Sequence, residues 1–296
     1  MRFNKVSFLT CVGLSAPIVK TLYANDLLDK LLIEENYDYI KPAFNFIPDH
    51  KIRLIRKDSE FPIDKNCKLV FALSYPHKLP KTDIPILNIH FGALPENRGP
   101  DPVFWTIRNN QELCFVTIHE IAPVFDTGAV VIKRSFQVRP EETYGGMYSR
   151  LVYLTIPMIE ELMKHGFKST TAQNENDAIT NKLPKEPDLT IDWKTMSSSE
   201  INCLVRACNP KYGGAITTLN GVVLRILEIS PININMKPGE IPKPGMIVHS
   251  SNAHGIAVAC ADGLFIKLNI ASVTEGFLTG NTLSNMGVQT GTILGQ

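Results

Sequence analysis

The 296 residues carry 30 Lys and Arg against 29 Asp and Glu, a net charge of +1, and 44% of them are apolar. Near-neutrality offers a polyanion no general attraction, and this much apolar sequence can bury one large core or two ordinary ones, of which two are expected. No run approaches the ~18 apolar residues of a membrane span. In chain order, Lys5 to Cys11 reads as a strand and Pro17 to Glu35 as a helix begun by Ser15-Ala16-Pro17. Arg2 and Lys5 ahead of Val6 to Val19, with Ala24 beyond, imitate a secretory signal, but Gly13 and Pro17 interrupt the apolar stretch. The six cysteines, Cys11, Cys67, Cys114, Cys203, Cys208 and Cys260, form no CxxC pair and are expected as reduced thiols in a cytoplasmic protein.

Strands are predicted over Ile52 to Arg56, Lys68 to Ser74, Ile84 to His90, Leu113 to Ile121 and Ala129 to Val138, and helices over Pro102 to Asn109 and Thr143 to His165. The alternation predicts an α/β fold, a Rossmann-like, mostly parallel sheet in a domain over residues 1–167. The first strand is followed by Cys11-Val12-Gly13-Leu14-Ser15 rather than GxGxxG, so no nicotinamide dinucleotide is expected. Lys168 to Asp188 is polar and proline-containing and reads as a linker. A helix follows, capped by Ser197-Ser198-Ser199-Glu200 and stopped by Asn209-Pro210. Residues 168–208 therefore join the first domain to a second, 209–296. There the segments Ala215 to Leu219, Gly221 to Ile229, Gly245 to His249, Gly255 to Cys260 and Gly263 to Ile270 suggest a small C-terminal antiparallel β-barrel of OB-like type.

The chemistry-bearing residues cluster after the fourth strand. Asn88 and His90 alternate with buried positions in Pro85-Ile86-Leu87-Asn88-Ile89-His90 and so face one side at its carboxyl end, where open α/β sheets bind ligands. The turn Leu94-Pro95-Glu96-Asn97-Arg98-Gly99-Pro100 follows, and later Phe125-Asp126-Thr127-Gly128. An amide, an imidazole and a carboxylate could thus meet at one carbonyl, although Asp126 before Thr127-Gly128 is also an ordinary turn signal. Asn88 would donate to an oxygen that gains negative charge, His90 would accept a proton, and Asp126 would orient and stabilise the imidazole; this scheme requires no metal. Arg98 either binds an anionic substrate group or braces the Pro95 to Pro100 loop. His77 and His119 read as structural or peripheral.

The strand ending Asn88-Ile89-His90, the Leu94-Pro95 turn with Arg98-Gly99, the Val116-Thr117-Ile118-His119 strand and the Asp126-Thr127-Gly128 loop resemble the formyltransferases that use 10-formyltetrahydrofolate. Lys182 to Glu186, Ile191-Asp192-Trp193, Val205 to Pro210 and Ala261-Asp262-Gly263 are similar to the linker and C-terminal domain of methionyl-tRNA formyltransferases, and amino-sugar nucleotide N-formyltransferases share the layout. The resemblance implies Asn88, His90 and Asp126 as catalytic residues. It also implies a folate cleft between Ser74-Tyr75-Pro76 and a segment containing Ala122, Val124 and Phe125, and places Pro95 and Arg98 toward the acceptor. Gly92 departs from the serine usual two residues after the histidine.

The acceptor implied is a primary amine, first that of a nucleotide-linked amino sugar. Residues 209–296 hold five basic and four acidic side chains, a poor footprint for a tRNA backbone, and the passage from Cys11 to Lys68 is short for a basic tRNA-binding insertion. Methionyl-tRNA stays open as the alternative. So does a carrier-bound amino acid, because Asp101 to Trp105 is similar to formylation domains of peptide synthetases. A degenerate, folate-binding homologue is the non-enzymatic alternative. A homodimer is one expected assembly, and no membrane partner is expected.

Overall fold

In Val6–Thr10 every residue is buried, and this run forms strand β1 in the middle of a seven-stranded sheet. The structure, a computed structural model, describes residues 3–57, 67–79, 82–167, 169–237 and 239–296. The chain divides into two units. One comprises Met1–Pro102, Leu113–Gln137 and Tyr148–Lys182, and the other Val103–Glu112, Val138–Met147 and Leu183–Gln296.

In the first unit, helix α1 covers Ala16–Ala24, with Pro17 in its first turn, and strand β2 covers Leu28–Glu34. The helix expected to continue to Glu35 therefore stops at Ala24, eleven residues early. The reason is a pattern that serves both geometries: Leu27, Leu28, Leu31 and Leu32 fall at helical spacing, but the chain turns at Asn25-Asp26, where Asp26 adopts φ 53°, and lays the leucines beside β1. A 3₁₀ stretch over Glu35–Phe44 leads on to β3, Ile52–Ile55.

Strands β4 (Val70–Leu73), β5 (Ile86–His90), β6 (Leu113–Glu120) and β7 (Val130–Gln137) complete the order β3-β2-β1-β4-β5-β6-β7. The first five strands run parallel, and β6 and β7 are antiparallel additions, so the expected mostly parallel sheet is present. Leu9, Leu32, Val70, Ala72 and Ile86 form one of its core clusters. The sheet grows to one side of β1 and then to the other, which makes the gap between β1 and β4 a topological switch point. Helix α2 is Pro102–Arg108 and α3 is Tyr144–His165. Along α3, Leu151, Thr155, Met158, Ile159 and Leu162 recur at helical spacing and are all buried.

The polar segment read as a linker is bound along the first unit as far as Asn181. Thr171 bridges Val130, Thr180 bridges Arg98, and Asn181 N–H donates to the Arg98 carbonyl over 2.8 Å. In the second unit a short helix α4, Glu186–Leu189, precedes α5, Ser198–Cys208. The α5 start is the expected one. Ser197 Oγ accepts the Glu200 N–H, and Glu200 Oε2 accepts the Ser197 N–H at 2.8 Å, a reciprocal capping box. Ser197→Ala should therefore lower stability by about 1 kcal/mol, read as a shift in the urea midpoint.

Strands β8 (Ala215–Leu219), β9 (Val222–Ile232), β10 (Ile247–Ser251), β11 (Gly255–Ala259) and β12 (Phe265–Val273) form the expected antiparallel sheet in the order β10-β11-β12-β9-β8. Besides α4, the elements not anticipated in this unit include β13, Gly276–Thr279, which pairs with β12, and α6, Gly280–Asn285, capped by Thr279. Buried Trp193 donates from Nε1 to Thr217 Oγ1 at 2.8 Å. Gly295 lies so close to this indole that an added Cβ would sit 2.9 Å from Trp193 Cδ1. Among the described residues no helix is long and apolar enough to cross a membrane.

Candidate functional site

The register of β5 and β6 builds the site. Asn88 lies opposite His119 and His90 opposite Thr117. Because side chains alternate along each strand, all four residues share one face. Thr117 Oγ1 donates to the Gly92 carbonyl at 2.7 Å and ties down the chain just beyond His90. Asn88 Nδ2 lies 3.1 Å from His119 Nε2. His119, expected to be peripheral, thus belongs to the cluster. Spacing along one strand cannot reveal a partner that only the antiparallel pairing brings alongside.

The ring tautomers follow from the carbonyl partners, since a carbonyl only accepts. His90 Nε2 is 2.7 Å from the Asn97 oxygen and His119 Nδ1 is 2.8 Å from the Glu120 oxygen, so both nitrogens carry hydrogen. The opposite nitrogens converge on one carboxylate oxygen: Asp126 Oδ1 is 3.6 Å from His90 Nδ1 and 3.5 Å from His119 Nε2. When neutral, His119 accepts the Asn88 amide hydrogen at Nε2; when protonated, it donates toward Asp126. His90 has the same choice at Nδ1, so the two imidazoles and the carboxylate can pass one proton among them.

Asp126 reaches this position from a loop that leaves the end of β6 and folds back. Its backbone is left-handed, φ 58°, and the Gly99 N–H donates to Oδ2 at 2.9 Å. Burial pushes the Asp126 pKa up. The neighbouring His90, the proximity of His119 and the hydrogen bond from the Gly99 N–H outweigh burial and hold it below the usual carboxylate value. Burial draws the His90 pKa below its ordinary 6.5, against the opposing charge of Asp126. The resting site is therefore an ionised Asp126 beside a neutral His90.

Gly92 is a requirement of this packing. A Cβ there would lie 2.7 Å from His90 Nε2 and 2.9 Å from the Asn97 oxygen, on either side of the bond that sets the His90 tautomer. Buried Arg98 takes the bracing alternative: NH1 and NH2 donate to the two Glu175 oxygens at 2.9 and 2.7 Å, and Nε donates to Gln173 Oε1 at 2.9 Å. Its fork holds a carboxylate of the chain itself. Pro95 is half-buried and its carbonyl accepts the Ile179 N–H.

Of the residues expected to line a folate cleft, Ser74 is exposed in a left-handed backbone, φ 54°, with its hydroxyl 2.8 Å from that of Tyr148. Tyr75 is half-buried with its ring edge to His77, whose Nε2 lies 3.0 Å from buried Glu34 Oε2; Pro76 is exposed. Ala122 is half-buried, whereas Val124 and Phe125 are 63% and 51% exposed, two large apolar side chains immediately before the buried carboxylate. Such surface suits a planar, partly apolar ligand. Besides His119, sequence reasoning missed Asn97, whose signal was only an asparagine in a turn, and Gln173, which had none.

Two family models match in order: Formyl transferase over residues 76–158, and Formyl transferase, C-terminal domain, over residues 184–275. The methionyl-tRNA formyltransferase of Geobacter metallireducens is 31% identical over 206 residues, which are 67% of this chain and 63% of that protein. Among solved structures, HypX from Aquifex aeolicus in complex with tetrahydrofolic acid is 18% identical with a TM-score of 0.67, covering 98% of this chain and 49% of that one. The N-formyltransferase from Helicobacter canadensis, in complex with folinic acid and dTDP-3-aminofucose, is 17% identical with a TM-score of 0.64, covering 89% and 98%. The chain thus spans less than two thirds of the Geobacter protein and about half of HypX, and the likeness to the two solved structures is one of fold. With both family models in sequence, one across the β5–β6 site and the other across the antiparallel sheet unit, the chain belongs to the formyltransferase family.

Proposed function

We propose that this protein moves the formyl group of 10-formyltetrahydrofolate to the primary amine of a nucleotide-linked amino sugar. The observation that carries the reading is the convergence of His90 and His119 on the Asp126 carboxylate, with the Asn88 amide joined to His119 on the same strand face. The amine nitrogen bonds to the formyl carbon, the bond from that carbon to the folate nitrogen breaks, and the proton shed by the amine ends on the folate nitrogen.

One amide hydrogen of Asn88 is engaged by His119, and the other is available to the oxygen that becomes negative in the tetrahedral intermediate. His90 is only 6% exposed, so it takes the amine proton through Asp126 or a bridging water, and the resulting imidazolium lies beside the carboxylate. His119, on the other side of Asp126, gives the proton a second station on its way to the leaving nitrogen. Support for the donor is the folate named with two relatives of the same fold, and the exposed Val124 and Phe125 offer it an apolar wall. Support for the acceptor is the amino-sugar nucleotide named with the Helicobacter canadensis neighbour and the near-neutral charge of residues 209–296. The sequence relative from Geobacter metallireducens favours a second reading, in which methionyl-tRNA is the acceptor.

The test is release of tetrahydrofolate from 10-formyltetrahydrofolate in the presence of 3-amino and 4-amino sugar nucleotides, glycinamide ribonucleotide or methionyl-tRNA. Turnover with an amino sugar supports the first reading, turnover with methionyl-tRNA alone replaces it with the second, and none with any amine removes both. A pH prediction accompanies it. Activity needs neutral His90, so kcat/KM should fall as pH drops and the ring is protonated. Because burial favours the neutral ring, the midpoint of the fall should lie below 6.5. A limb centred above that value would remove His90 as the group observed.

A further inference from the structure

We propose that Gln173 is a positioning residue for the Asp126 carboxylate, and that through Asp126 it sets the basicity of His90; the catalytic consequence rests on the formyl-transfer reading above. The two hydrogens of its single amide nitrogen go to two carbonyls of one loop, that of Asp126 at 2.8 Å and that of Gly128 at 2.7 Å. Its oxygen accepts Arg98 Nε from the other loop at 2.9 Å. One half-buried side chain thus joins the loop that presents Asp126 to the loop whose Gly99 N–H holds Oδ2 of the same carboxylate. Arg98, clasped at its far end by Glu175, makes the join rigid.

This geometry has no purpose in the local fold of residues 171–181, which hold their place by backbone bonds from Thr171 to Val130 and from Asn181 to Arg98. What the amide adds is a fixed orientation for a left-handed residue, Asp126, whose own carbonyl and that of Gly128 both accept from it. The ionisable groups facing His90 are Asp126 from its loop and His119 from β6, the first raising and the second lowering its proton affinity. Release of Asp126 from its 3.6 Å position removes the raising influence and leaves the lowering one.

The experiment is to titrate the His90 ring by NMR in the ligand-free protein, comparing wild type with Gln173→Ala and with Gln173→Met. The methionine keeps the length of the side chain and adds no charge but lacks both amide hydrogens. The His90 midpoint should move down by about 0.5 or more in both variants. Turnover should fall about tenfold or more, with the KM for the amine within about twofold and the acid limb displaced in the same direction. An unmoved His90 titration in either folded variant overturns the proposal, whatever happens to melting temperature or turnover, because a merely structural glutamine would lower stability and leave the titration in place. Failure of both variants to fold overturns it as well, by making Gln173 a folding residue. If the wild type transfers no formyl group to any amine, the formyl-transfer reading fails, while the ligand-free titration still decides whether Gln173 positions Asp126.

Discussion

Asn88→Ala should lower kcat by about a hundredfold or more, the size associated with loss of one donor to a developing oxyanion in a preorganised site. The side chain sits on a rigid central strand, paired by register to Ala72 of β4 on one side and His119 of β6 on the other, so its amide cannot be replaced by a neighbour shifting into place. Folding should survive, because Asn88 is half-buried and its side-chain hydrogen bond is with His119 Nε2; losing it costs about 1 kcal/mol. The measurement is kcat at saturating folate and amine, with the melting temperature as control. Turnover within about threefold of wild type would take Asn88 out of the mechanism. His90→Ala should fall by a similar factor, and the double variant should lose little beyond either single one, because groups that serve the same step do not contribute additively.

Gly128→Ala should be the most damaging single methyl in the molecule, costing more than about 3 kcal/mol. A Cβ built there would stand 1.7 Å from the Glu120 carbonyl oxygen and 2.6 Å from its carbon, far inside any van der Waals contact. Neither backbone can yield cheaply, because the Glu120 N–H donates to the Ala129 carbonyl at 3.0 Å and the Gly128 carbonyl accepts from Gln173. The clash therefore disrupts the connection between β6 and β7 and moves Asp126 with it. Urea unfolding checks the magnitude, and Gly146→Ala supplies the contrast: in α3 the nearest atom to an added Cβ is Thr143 Oγ1 at 3.5 Å, ordinary contact. That helical replacement should stabilise by about 0.5–1 kcal/mol. Equal effects of the two substitutions would refute the steric argument.

Where a property depends on neighbours in the chain, the residues sufficed. The alternation Leu87-Asn88-Ile89-His90 placed the amide and the imidazole on one face. Ser197 and Glu200 marked the start of α5 three residues apart, and the glycine-bounded apolar segments after Gly213 marked an antiparallel sheet. Periodicity failed where one pattern fits two geometries, as in Leu27, Leu28, Leu31 and Leu32, because burial beside β1 rather than the spacing itself made them a strand. It was silent on partners. His119 joins Asn88 only through the antiparallel register of β5 and β6, across 31 residues of chain, and Arg98 turns inward because Glu175, 77 residues on, arrives to meet its guanidinium. Sequence by itself determined which side chains share a face and where the capped helix α5 begins, since those depend on near neighbours in the chain and on bond geometry repeated every two or 3.6 residues. Tertiary structure alone decided which groups converge on the Asp126 carboxylate, because hydrogen-bond partners 27 to 47 residues apart meet only after the strands have paired and the strap from Thr171 to Asn181 has closed over the loops.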